Sequence, residues 1–128
     1  MGYTVSSLDE LGEGYGFRKI RKPLNVTAFG VNAIVYPPRY EGPMHFHDVQ
    51  DELYFVHRRT AKFEFEVGEQ LVEEGGLVHV ESTTPRRVSN GSDGELVLLI
   101  VGGKDGYVER DGHLVDPDEA PLRAGLSS

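Results

Sequence analysis

Apolar and polar residues alternate along most of this chain in short runs, and glycine, proline and Asn-Gly or Asp-Gly pairs break the runs apart. Alternation with a period of two marks a strand that buries one face, and helix-type periodicity is almost absent. The first long run, residues 26–36, predicts a strand stopped by Pro37 and Pro38, neither of which can donate to a ladder. Residues 52–57 predict a second. In residues 61–67, Phe63, Phe65 and Val67 face one way and Lys62, Glu64 and Glu66 the other, with a turn expected at Gly68-Glu69 and a return strand over 70–72. Gly75-Gly76 precedes a strand over 77–81, and a brief strand over 86–88 leads into the reversal marked by Asn90-Gly91 and Asp93-Gly94. Residues 96–101, LVLLIV, form the most apolar run, expected to be buried on both faces. Residues 107–115 read as a hairpin with Asp111-Gly112 at its tip. At the start, Ser7 followed by Glu10 forms a capping box that predicts one helical turn over 8–11, and residues 16–22 suggest an edge strand. The expected organisation is a lead-in over 1–24, an all-β sandwich or barrel over 25–115 and a loose tail over 116–128.

Composition narrows the classes. The chain has 128 residues, enough for one domain, with 38% hydrophobic and 27% charged residues, 16 Gly and 7 Pro. Its net charge of −8 argues against nucleic acid and against docking on anionic lipid, both of which need a basic face. The basic residues in 16–22 therefore read as a solvated face. No apolar run approaches the ~20 residues that span a bilayer. The first residues lack a basic start and an apolar stretch, and there is no cysteine, so disulfides and thiolate metal sites are excluded and a cytoplasmic location is the expectation.

The chemistry concentrates in residues 42–57, GPMHFHDVQDELYFVH. His45 and His47 flank one residue, so on an extended backbone their imidazoles point to the same side. Glu52 begins the next apolar run. If the chain turns back between them, two imidazoles and a carboxylate face one point, the facial arrangement that holds a divalent metal and leaves positions open. Imidazole and carboxylate suit Fe, Mn, Ni, Zn or Cu. Tyr54 and Val56 share the face of Glu52. Leu53, Phe55 and His57 fall on the opposite face, available to the terminal segments or to a second copy of the chain.

These residues resemble the two motifs of the cupin family. The first reads G-x5-H-x-H-x3–4-E-x6-G, and His45, His47 and Glu52 fall in register, with Arg39 and Arg59 at the glycine positions. The second reads G-x5-P-x-G-x2-H-x3-N. Gly75 and Asn90 match, and Glu81, Thr83 and Arg86 replace the Pro, Gly and His. The resemblance spans about residues 25–103 and implies a double-stranded β-helix, a jelly-roll barrel. It also implies a metal site on His45, His47 and Glu52 whose usual fourth ligand, the second-motif His, is here Arg86. Guanidinium has no lone pair to offer a metal.

Two functional classes follow. One is a metal-dependent dioxygenase or isomerase, expected as a homodimer, acting on a small polar or anionic molecule, with Arg86 anchoring a carboxylate and Tyr54 assisting proton transfer. The other is a non-catalytic small-molecule-binding or sensing barrel, with or without metal, in which Arg86 pairs with Glu52 and supplies the charge a metal would bring. Adjacent strand residues point oppositely, so at most one of Arg86 and Arg87 faces inward.

Overall fold

The computed structural model describes residues 2–119. Among them the chain forms one helical turn, α1 (Leu8–Leu11), and ten strands. These are β1 (Gly16–Lys19), β2 (Gly30–Tyr36), β3 (Glu41–His47), β4 (Asp51–Arg58), β5 (Ala61–Phe65), β6 (Gly68–Val72), β7 (Leu77–Val80), β8 (Arg86–Asn90), β9 (Leu96–Gly103) and β10 (Gly112–Leu114). They build two five-stranded sheets, ordered β1-β2-β9-β4-β7 and β10-β3-β8-β5-β6, with antiparallel pairing throughout. The chain crosses repeatedly from one sheet to the other, and the two inner faces close on a shared core, a jelly roll.

Alternation explains the core. Tyr54 and Val56 of β4, Phe63 of β5, Val88 of β8 and Leu96 and Leu98 of β9 all point between the sheets and are almost fully buried. Each such large side chain contributes about 1.5–3 kcal/mol by leaving water. A second cluster covers the outer face of the first sheet. There Ile20, Val31 and Ala33 are buried beneath Leu8, Leu11, Leu24 and Val26. That packing explains why β2 begins at Gly30 rather than at residue 26. Val26 N–H donates to Arg21 C=O, Asn25 adopts a positive φ of 59°, and the segment folds over the sheet instead of extending it. The Ser7 hydroxyl accepts from Glu10 N–H and caps α1 as the sequence predicts.

Two turns differ from expectation. Phe65 pairs with Gly68, so Glu66 and Val67 form the tip between β5 and β6, and Gly68 takes the positive φ of 135° just after it. Val67 is 98% exposed and does not share the buried face of Phe63. The hairpin expected over 107–115 does not form. Residues 107–110 carry no strand, the reversal lies earlier at Asp105 and Gly106, and β10 pairs instead with β3, Gly112 opposite His47 and Leu114 opposite His45. From the tail expected to lie loose, Glu119 accepts from Met44 N–H and Arg87 Nη1 at 3.2 and 2.7 Å; residues 120–128 lie outside the described residues. No helix among the described residues is long and apolar enough to cross a membrane.

Candidate metal centre

The end of β3 supplies His45 and His47, and the start of β4, in the other sheet, supplies Glu52. A register shift between Glu41 and Met44 of β3 sets which residues face inward from there to the strand's end. Gly42 occupies that bulge. A Cβ there would stand 2.3 Å from Val88 C=O, so the close approach of β3 to β8 requires glycine.

The three expected ligands come together. His47 Nε2 lies 3.3 Å and His45 Nε2 3.8 Å from Glu52 Oε1, and one donor atom from each residue falls within 4.8 Å of the others. The imidazole rings stand edge to face, 5.3 Å apart at 82°. Two ligand atoms each about 2.1 Å from one ion, at tetrahedral or octahedral angles, are separated by roughly 3.0–3.4 Å. The His47–Glu52 separation falls in that range, and His45 would have to close in for the three to hold one divalent metal. His45 is the more open of the two histidines, with its side chain 25% exposed against 11% for His47.

Arg86 faces inward and Arg87 outward. Arg86 is fully buried; its Nη2 donates to Glu52 Oε1 at 2.6 Å, its Nη1 to the carbonyls of Ser82 and Thr84, and its Nε to Tyr54 Oη at 3.4 Å. Tyr54 in turn donates to Glu52 Oε1 at 2.6 Å and is 1% exposed. The guanidinium is thus consumed by the protein, and neither it nor the Tyr54 hydroxyl is free for a guest. In the structure both side chains hold Glu52, Arg86 through Nη2 and Tyr54 through its hydroxyl. Arg87 instead joins Glu119, Glu64 and Gly42 C=O on the outer face.

Electrostatics follow from these contacts. Burial works against a charge on Glu52, yet hydrogen bonds from His45 and His47 and the charges of His47 and Arg86 hold its carboxyl well below the usual carboxylate range. Burial likewise disfavours a charged His47, but its bonds to Glu52 and Asp111 prevail and raise its pKa above that of free imidazole. Burial, aided by the Glu52 charge, pushes the Tyr54 phenol well up, which keeps it a neutral donor.

Asp111 is the site residue that the sequence did not reveal. It accepts from His47 Nδ1 at 2.8 Å across 64 residues of chain. It reads locally as half of an Asp-Gly turn, and nothing nearby in sequence ties it to the histidines. The other histidines stand apart from the centre: His57 and His79 are exposed on the outer face, and His113 stacks on Phe46 and pairs with Asp48.

The fold, the triad and the motif register define a jelly-roll barrel built around a potential metal site, and comparison with known proteins assigns it. A family model described as the cupin domain matches residues 33–102, more than half of the sequence, and the chain belongs to the cupin family. Among solved structures it is similar to a sugar phosphate isomerase of the cupin superfamily from Silicibacter pomeroyi (TM-score 0.66, 19% identity, 94% of this chain and 88% of that one). A cupin protein from Bacteroides fragilis aligns with TM-score 0.69 and 16% identity over 95% of this chain and 99% of that one. A DMSP lyase from Ruegeria pomeroyi aligns with TM-score 0.63 and 21% identity over 73% of this chain, which spans 46% of that lyase. No curated protein matches the sequence.

Proposed function

We propose that this cupin binds one divalent transition metal through His45, His47 and Glu52 and acts there on a small polar or anionic molecule. The observation that carries the reading is the separation of the donor atoms, 3.3 and 3.8 Å from the two imidazole Nε2 atoms to one carboxylate oxygen. A bound ion would supply Lewis-acid polarisation of a substrate oxygen in the positions the three side chains leave open. The residues around it do the rest. Glu52 is fixed by Arg86 and Tyr54, so its ligand oxygen does not wander. His45 stands at the open side where a guest would enter. Glu52, Asp111 and Arg86 together carry one net negative charge, which favours a divalent cation and leaves the loaded site positive, suited to an anionic guest.

An isomerase or a dioxygenase fits such a centre. The sugar phosphate isomerase and the DMSP lyase among the structural neighbours support small-molecule chemistry on this fold. Exposed Leu53 and Leu77, 42% and 64% accessible on adjacent strands, support a homodimer through the outer face of β4 and β7.

A second reading has its own observation. The 2.6 Å pair between fully buried Arg86 and Glu52 already neutralises the ligand carboxylate, as it would in a metal-free barrel that only binds or senses a small molecule. Elemental analysis of the purified protein beside a His45→Ala, His47→Ala variant separates the two. About one metal per chain in the parent and none in the variant is the expected result, with iron or copper pointing to dioxygenase chemistry and zinc leaving isomerisation or binding open. Equal metal in both would leave the metal-free barrel standing.

A further inference from the structure

We infer that Asp111 is a positioning residue for the ligand His47, fixing which ring nitrogen carries the proton so that Nε2 is presented to the metal, and that Gln50 braces Asp111 for this task. The inference rests on the metal-binding reading above.

The Asp111 carboxylate divides its work between its two oxygens. Oδ2 accepts the backbone N–H groups of Val49 and Gln50 at 2.7 and 3.0 Å, which caps the loop between β3 and β4. Oδ1 accepts from His47 Nδ1 and from the Gln50 side-chain Nε2, each at 2.8 Å. A carboxylate accepting from Nδ1–H keeps the proton on that nitrogen, so Nε2, which faces Glu52, is the one whose lone pair a metal would take, and the contact raises the basicity of Nε2. Capping the loop alone would need only Oδ2; the second oxygen is committed to the ring and to its brace.

The surroundings are shaped for the same contact. Gly112 follows Asp111 and pairs with His47, and a Cβ at Gly112 would meet His47 Cε1 at 3.1 Å, so a side chain there would press on the ring. On the opposite sheet a Cβ at Gly102 would come within 2.4 Å of Gln50 Oε1, so glycine at that position leaves room for the Gln50 amide. The brace thus links the loop before β4, in one sheet, to the residue just before β10, in the other. A rotation of the His47 ring would have to break the Asp111 contact and move against Gly112.

The test measures zinc affinity by chelator competition, the His47 Nδ1–H proton and nitrogen signals in the zinc-loaded protein, and the thermal midpoint of the metal-free protein. Asp111→Ala is expected to raise the zinc dissociation constant by about 10–100-fold and to abolish the downfield Nδ1–H signal. Gln50→Ala, which leaves both backbone contacts in place, is expected to weaken zinc binding less but in the same direction, and it keeps the test open if Asp111→Ala does not fold. Zinc affinity within about twofold of the parent in both variants, with only the midpoint lowered, would make Asp111 a loop cap and overturn the inference while the metal reading stands. A parent chain that takes up no zinc, or takes it up equally after His45→Ala, would remove the metal reading and this inference together.

Discussion

Arg86 stands where the family's second motif has a metal-binding histidine, and its side chain shows what that exchange does. The guanidinium enters the barrel opposite His45 and ends on the ligand carboxylate at 2.6 Å. It takes a ligand away and at the same time holds the remaining acid in place. Removing it leaves Glu52 buried without its counter-ion, so Arg86→Met should destabilise the metal-free protein by about 3 kcal/mol, read from the denaturant midpoint. Arg86→His should instead add a lone pair as a fourth ligand and tighten zinc binding, read by chelator competition. The pH dependence lives at this scale too. Glu52 has a folded pKa held below its unfolded one, so its contribution is present above the ordinary carboxylate range and is lost as pH falls through the folded value. Glu52→Gln should therefore flatten the acid limb of the metal-free stability profile, measured by chemical denaturation at successive pH values.

At the scale of strands, the candidate ligands depend on register. The shift between Glu41 and Met44 and the contact of Gly42 with β8 decide that His45 and His47 point inward. Gly42→Ala would force backbone apart at that crossing, with an expected loss of about 1–3 kcal/mol and a parallel loss of metal uptake, checked by thermal unfolding and metal analysis of the same sample. Much at this level was legible in the sequence, because it is local. The alternation of Phe63 and Phe65 with charges, the uninterrupted apolar run of β9 and the capping box at Ser7 each specify their own element. The one-residue spacing of His45 and His47 likewise brings the ligands to one face. What escaped is non-local. Asp111-Gly112 has the composition of a hairpin tip, but the free edge of β3 captures β10, and the Asp111 carboxylate bonds to the ring and loop of that edge. The inward choice of Arg86 over Arg87 also follows from cross-strand pairing, which spacing alone leaves open.

For the molecule as a whole, the candidate site joins the two sheets, His45 and His47 coming from β3 in one and Glu52 from β4 in the other. The N-terminal segment covers β2 and β9 but leaves Leu53 and Leu77 exposed on β4 and β7. If that face joins two copies, sedimentation equilibrium should give twice the chain mass, and a Leu53→Lys, Leu77→Lys variant should sediment as a monomer with its metal content unchanged. The central question is whether one ion is held by residues from both sheets. X-ray absorption on the zinc-loaded protein addresses that directly. The expected first shell has two imidazole nitrogens and a carboxylate oxygen at about 2.0–2.2 Å, and the His45→Ala, His47→Ala variant should retain no zinc under the same loading. A shell of oxygens alone, or one unaltered in the variant, would contradict it.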